Sequence, residues 1–249
     1  MEKRIHILGS NVDTLTMDET LARIQSLIKN REHVQHVVIN ASKINLMQDN
    51  KHLADIVNSC PLINADGQSI VWAAKFLGYP IPERVTGIDL FNNLVKLSAE
   101  NGYRPYFFGA KQEVVEKVVK IFKEQYPSLN IAGYRNGYFK DEESKEIAKD
   151  IRESKADILF VAFSSPKKEF WVKEYIPIMQ VTFVMGVGGS FDVVAGVTNR
   201  APEWMQKCGL EWFYRFIQEP KRMWKRYLFG NLKFIRLVIQ EKFSLVKND

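Results

Sequence analysis

A carboxylate that directly follows a short apolar run is well placed to take a proton. Asp66 is such a residue, standing between Leu62-Ile63-Asn64-Ala65 and Gly67. Within reach of a substrate hydroxyl it would serve as a general base. It would equally suit a turn before Gly67 or the cap of a following helix. A second feature is Gly186-Val187-Gly188-Gly189-Ser190, again behind an apolar run. There Gly186 and Gly188 could let backbone N–H groups approach a phosphate. This is not a dinucleotide fingerprint, because Phe191 stands where the third glycine belongs, and a P-loop pattern is absent. Asn40-Ala41-Ser42, Asn64-Ala65-Asp66-Gly67, Gly109-Ala110 and Ser164-Ser165-Pro166 are also polar and small. Each alone is ordinary turn chemistry; together they could line one crevice.

The chain contains no Asp-x-Asp. An enzyme that releases a nucleoside diphosphate without a metal-binding acid pair needs another cation for the leaving group, and Arg or Lys is the substitute. Arg84 sits in the stretch Gly78–Thr86 with Pro80 and Pro82, a surface loop by composition. Further cations follow near the C-terminus: Arg215, Lys221, Arg222, Lys225 and Arg226. His33 and His36 lack a Glu or Cys at ligand spacing and read as surface residues. No metal site and no cofactor is expected.

The elements that must position these residues alternate. Apolar runs at Ile5–Leu8, Val37–Asn40, Leu62–Asn64, Pro105–Phe108, Asn130–Tyr134, Ile158–Ala162 and Val181–Met185 predict strands. Helical patterns fall near 17–29, 43–58, 68–77, 88–101, 111–125, 142–154 and 167–175. Thr16 and Glu19 form a capping box for the first helix. The expected fold is α/β and Rossmann-like: a mostly parallel sheet with helices on both faces, plus a C-terminal helical appendage. Ligands bind beyond the carboxyl ends of such strands.

Charge divides the chain. Residues 1–195 balance, whereas residues 196–249 hold 11 Lys and Arg against 5 Asp and Glu, the whole formal charge of +6. Three of the five tryptophans, Trp204, Trp212 and Trp224, lie there too. The sequence thus predicts an α/β core over 1–195 and a basic, aromatic appendage over 196–249. A basic and aromatic segment suits an anionic membrane surface better than a nucleic acid. On a helix over 224–246, Trp224, Leu228, Leu232, Ile235, Ile239, Phe243 and Val246 share one face. That face could meet lipid, the protein's own domain or a second subunit, so a homo-oligomer stays open. Trp212, Trp224 and Phe234 are expected at the interface. The N-terminus lacks the apolar segment of a signal peptide, and no apolar run is long enough to span a bilayer. Cys60 and Cys208 read as reduced thiols. The expected location is the cytoplasm, peripheral on the inner face of the membrane.

Several motifs together resemble the WecG/TagA/CpsF glycosyltransferases (glycosyltransferase family 26). They are Asn64-Ala65-Asp66-Gly67, Arg84-Val85-Thr86-Gly87, Ser165-Pro166-Lys167-Lys168-Glu169 and Gly186 through Asp192. Arg200-Ala201-Pro202, Gly209-Leu210-Glu211-Trp212 and Arg215 through Arg222 complete the set. The resemblance covers nearly the whole chain. It implies transfer of a sugar from a UDP-sugar to a polyprenyl-diphosphate-linked saccharide in bacterial surface polysaccharide or teichoic acid synthesis, with inversion and without metal. It implies Asp66 as base and Asn40, Arg84 and Asp192 as donor-site positions. It also implies a C-terminal appendage that meets membrane and supplies Arg215, Arg222 and either Lys225 or Arg226. One departure is plain: Lys168 stands where the family usually has Gln. A lysine there could pair with the carboxylate of a uronic acid, hold a phosphate or point away, so the donor is either of N-acetylmannosamine type or a uronic acid.

Two other classes remain open on the sequence. A nucleotide-dependent oxidoreductase would use Gly186–Ser190. A non-catalytic, membrane-recruited binding module would use the tail and leave Asp66 and Arg84 idle.

Overall fold

The computed structural model describes residues 3–248, and of residues 221–223, 225–227 and 248 only the backbone. Chain entry is a hairpin, β1 (Arg4–Ile7) and β2 (Ser10–Asp13), paired antiparallel. Leu8 and Gly9 turn it with φ of 52° and 76°, the left-handed pair that a two-residue hairpin turn demands. The first predicted strand is therefore not in the main sheet. Its hydrogen bonds are used by Ser10–Asp13, a stretch to which the sequence assigned no strand. Arg4 clamps Asp13 at 2.7 and 2.8 Å, and Asp13 accepts the Ile63 N–H at 2.7 Å. The hairpin thereby leans on the edge of the main sheet.

That sheet is formed by β3 (Val34–Ile39), β4 (Leu62–Ala65), β5 (Pro105–Gly109), β6 (Gly133–Arg135), β7 (Ile158–Ala162) and β8 (Phe183–Gly186). Its order is β4-β3-β8-β7-β5-β6, and every pairing in it is parallel. The expected α/β class with a parallel sheet holds. The order is not the 3-2-1-4-5-6 of the Rossmann fold, because β7 and β8 return to the middle of the sheet.

Helices α1 (Met17–Lys29), α2 (Ala41–Asp49), α3 (Lys51–Asn58), α4 (Gln68–Leu77), α5 (Gly87–Asn101), α6 (Gln112–Gln125), α7 (Ser144–Glu153) and α8 (Lys167–Met179) connect the strands. Then follow α9 (Ser190–Val194), α10 (Glu203–Lys207), α11 (Glu211–Gln218) and α12 (Pro220–Asn248). The Thr16–Glu19 capping box forms. The predicted helix over 43–58 is two helices. Asn50 turns extended and accepts the Leu53 N–H at 2.9 Å, capping α3 rather than continuing α2. Alternating strand residues feed two faces. Phe107, Phe160, Phe183 and Met185 pack with α1, α5, α6 and α9. Val37, Ile39 and Ile63 pack with α2, α3 and α4, and Phe108, Leu159 and Val161 with α7 and α8.

Helix α12 has two apolar faces. Phe234, 5% exposed, enters the core beside α2 and α4, and Leu237, Val238 and Leu245 pack along the same cluster. Asn45 Nδ2 donates to the Gly230 carbonyl at 2.7 Å, and Glu241 Oε2 accepts the Leu8 N–H at 2.8 Å. Phe234 is thus a core residue, not an interfacial one. The stripe Leu228, Leu232, Ile235, Ile239, Phe243 and Val246 stays exposed, and so do Trp72 and Phe76 on the neighbouring α4. Among the described residues no helix is long and apolar enough to cross a membrane.

The two faces make a direct prediction. Phe234→Ala should destabilise the protein by about 3–5 kcal/mol, the usual range for a buried Phe, or free α12 for proteolysis. Ile235→Ala, one residue on, should change stability by less than about 0.5 kcal/mol. Denaturant unfolding and limited proteolysis of the two variants check this; equal effects would contradict the packing.

Candidate active site

Parallel pairing brings four loops to one edge. Ile39 pairs with Ala65, so Asn40 and Asp66 leave the sheet side by side, and Gly186 ends β8 next to β3. Asn40 caps α2, accepting the Lys43 N–H at 3.0 Å. Gly67 lies against it: a Cβ there would meet Asn40 Cβ at 2.9 Å. A glycine after Asp66 is therefore set by the close approach of two loops.

Asp66 does not cap α4, whose N-cap is Gly67 without a side-chain bond. Its Oδ1 accepts the N–H of Gly87 at 2.8 Å. Gly87 opens α5, where the helix has N–H groups without partners in its own backbone. This bond ties Asp66 to the loop that carries Arg84, three residues earlier.

Arg84 Nη1 lies 2.9 Å from Glu211 Oε2 at the start of α11. Glu211 Oε1 lies 3.6 Å from Arg200 Nε, and Arg200 holds both oxygens of Asp89 at 2.6 and 2.7 Å. Asp89 also bonds Thr86, the N-cap of α5. Burial disfavours the Asp89 carboxylate, but the Arg200 and Thr86 hydrogen bonds outweigh it and hold the group below its ordinary range. Arg215 lies one turn beyond Glu211 on α11 and is exposed. The side chains of Arg222, Lys225 and Arg226 lie outside the described residues.

On the other flank, Lys168 Nζ donates to Ser165 Oγ at 2.6 Å and lies 3.3 Å from Glu169 Oε1. Its stem crosses Gly186, where a Cβ would come within 2.6 Å of Lys168 Cε. Gly186 makes room for that lysine; the open glycine of the loop is Gly188, with φ of 53° and free space around it. Lys43, which the sequence reading missed, is buried and paired to Glu169. Burial, with Lys168 nearby, pulls the Lys43 ammonium down to about 8. Burial opposes ionisation of Glu169, yet Lys43 and Lys168 keep it below its ordinary range. Asp192 lies on α9, partly exposed, and its backbone carbonyl accepts the N–H groups of Val197 and Thr198.

Asn64 lies under the edge rather than on it. It is fully buried, bonded to His36 Nε2 at 2.9 Å and to Thr20 Oγ1 at 3.0 Å. His36 is not the surface residue that its sequence context predicts. It is buried against Phe183, and burial lowers it to about 4, so it stays neutral near pH 7. Glu169, Arg200 and Glu211 stand inside the motifs the sequence offered, but their partners are visible only in the folded chain. Lys43 and Asp89 were not singled out in the sequence; Asp89 lies in the first turn of α5, which Thr86 caps.

A carboxylate and an arginine brought to one sheet edge suit proton removal and the binding of an anion. Among the described residues no set of His, Cys, Asp and Glu converges as metal ligands. A cleft of about 520 Å³ between Arg4, Asp13, Glu19, Arg23, Pro61 and Leu62 lies at the opposite end of β4, away from these loops.

The profile of the Glycosyl transferase WecG/TagA/CpsF family matches residues 5–248. The chain is 36% identical over 201 residues to an N-acetylglucosaminyldiphosphoundecaprenol N-acetyl-beta-D-mannosaminyltransferase of Bacillus spizizenii, covering 81% of this chain and 76% of the relative. A Bacillus subtilis protein of the same name is 36% identical over 70% of this chain and 67% of its own. One from Staphylococcus aureus is 31% identical over 93% of this chain and 89% of its own. With its profile matched from end to end of the sheet and through α12, the chain belongs to the WecG/TagA/CpsF glycosyltransferase family.

Proposed function

We propose that this protein transfers an N-acetylmannosamine-type sugar from a UDP-sugar to a polyprenyl-diphosphate-linked saccharide, with inversion and without metal. The observation that carries the reading is the Asp66–Gly87 hydrogen bond at the carboxyl edge of the sheet. It fixes a carboxylate beside the loop of an arginine, which is the pair such a transfer needs. The names of the Bacillus and Staphylococcus relatives support the donor and acceptor classes. A uronic acid donor is the second reading; it rests on Lys168, whose ammonium in this structure is engaged by Ser165 and Glu169.

In the reaction the acceptor hydroxyl oxygen attacks the anomeric carbon. The bond from that carbon to the UDP oxygen breaks, and its electron pair leaves on the diphosphate. Asp66 takes the hydroxyl proton. Arg84, with Arg215 and Arg222 from the C-terminal segment, receives the charge that builds on the leaving group. Asn40, Asp192 and the Gly188 loop surround the donor.

Residues 196–249 act in this reading as a membrane-associating appendage on the inner face of the bilayer. Support comes from the charge of +6 in that segment and from the exposed stripe of α12 beside Trp72 and Phe76. A large exposed apolar surface on a soluble face marks an interaction site. Lys and Arg near an anionic surface add about 1 kcal/mol each, screened by salt.

Three measurements check the reading. Asp66→Asn keeps an oxygen for the Gly87 N–H, so the fold should survive while turnover drops roughly 10²-fold or more, the scale of a lost general base. Near-parental UDP release on saturating UDP-N-acetylmannosamine and lipid-linked N-acetylglucosamine would remove Asp66 from that role. Turnover should persist in EDTA; loss that Mg²⁺ or Mn²⁺ restores would show metal dependence. Sedimentation with anionic vesicles should weaken as salt rises, and Leu232→Ser with Ile239→Ser should reduce it sharply without unfolding the protein. Undiminished binding by that variant would place the lipid contact elsewhere.

A further inference from the structure

The proposed chemistry leaves Glu211 without a role, although it stands directly on one of the site's cations. Glu211 puts its carboxylate on Arg84, the cation read as meeting the diphosphate. A carboxylate there repels an incoming diphosphate unless its own charge is already balanced. Here it is balanced. Glu211 Oε2 lies 2.9 Å from Arg84 Nη1, while Oε1 faces Arg200 Nε at 3.6 Å. Arg200 is in turn neutralised by both oxygens of Asp89, in the first turn of α5. The four charges alternate in sign and sum to zero. They close on the N-terminal turn of α5, whose first N–H is held by Asp66.

We infer that Glu211 is a positioning residue for the transfer, holding Arg84 by one edge of its guanidinium and registering α11 against the core. The inference rests on the reading of Arg84 as a diphosphate ligand.

The geometry supports this in three ways. An arginine has five N–H donors in a rigid fork, and Glu211 meets it through a single contact, Oε2 to Nη1. The remaining edge keeps donors for an anion, in an orientation fixed before the ligand arrives. The pair is largely shielded, with the Arg84 and Glu211 side chains 14% and 20% exposed, so solvent screens it less than a surface pair. Arg215 lies four residues from Glu211, on the same face of α11. Anchoring Glu211 on Arg84 therefore also sets the position of an appendage cation relative to the core.

The test uses full-length protein, with Glu211→Gln, Arg84→Lys and the double variant. Folding is checked by circular dichroism and thermal unfolding. Readouts are kcat and KM for the UDP-sugar, and UDP affinity by calorimetry. Glu211→Gln should lower kcat/KM roughly 10- to 100-fold, as loss of an orienting partner does. The loss should fall on kcat more than on KM, and UDP should bind more weakly. Glu211→Asp, which keeps the charge on a shorter arm, should recover part of the loss. The double variant should be no worse than Arg84→Lys alone, because Glu211 acts through that arginine. Losses that multiply would show that Glu211 acts independently of Arg84. Tighter UDP binding in Glu211→Gln would show that the carboxylate masks the arginine, and would also overturn the inference. If Arg84→Lys is crippled while Glu211→Gln is not, positioning fails and the role of Arg84 stands. If Arg84→Lys keeps parental turnover, both fail. Should Glu211→Gln not fold, Glu211→Asp against Arg84→Lys carries the same comparison.

Discussion

Parallel pairing of β4, β3, β8 and β7 forces their carboxyl ends onto one edge, and the candidate chemistry depends on that constraint. A strand that ran the other way would send its loop to the far side. Because β7 and β8 return to the centre, the loops bearing Lys168 and Gly188 arrive beside those bearing Asn40 and Asp66. The sequence separation between Asn40 and Gly186 is large, yet the two strands that deliver them are hydrogen-bonded neighbours. The edge is then stiffened locally. Asp66 and Gly67 both donate to the Ile39 carbonyl, and Asp66 holds the first turn of α5.

Below that edge lies more buried polarity than a parallel sheet needs for stability. Lys43, Glu169 and Lys168 form one cluster; His36, Asn64 and Thr20 form another. Burying an ion pair costs desolvation that its attraction offsets only with good geometry, so such a pair is weak evidence for stability. Its physical consequence here is orientation. Glu169, in the first turn of α8, is gripped by a lysine from α2, so the helices following β7 and β3 are fixed relative to each other. The neutral His36 serves β4 in the same way by fixing Asn64 and hence the strand that leads into Asp66.

The C-terminal segment joins the core through two kinds of contact with different physics. Phe234 and its apolar neighbours give α12 a non-directional hydrophobic seat on α2 and α4. Arg84, Glu211, Arg200 and Asp89 give α11 a directional electrostatic one. The first leaves a second apolar face of α12 unpaired, and the second places α11 over the loop between α4 and α5.

The sequence alone determined what depends on local chemistry. Hydrophobic runs, Thr16–Glu19 capping and the β/α alternation are short-range signals, and they located the parallel sheet and most helices. The motifs around Asp66, Arg84, Lys168 and Glu211 are contiguous strings, so the family was legible too. The hairpin was not legible, because Ser10–Asp13 has no strand pattern and becomes a strand only by pairing with Arg4–Ile7. Nor was the break at Asn50, where one side-chain bond competes with helix continuation. The helical period grouped Trp224 through Val246 correctly but could not say which face meets protein. Only packing decided that Phe234 turns inward and Ile235 outward. Charge partners were hidden most completely. Lys43 with Glu169, and Arg84 with Glu211, are each separated by more than a hundred residues. An ion pair is set by distance in space, and a sequence shows only that the charges exist.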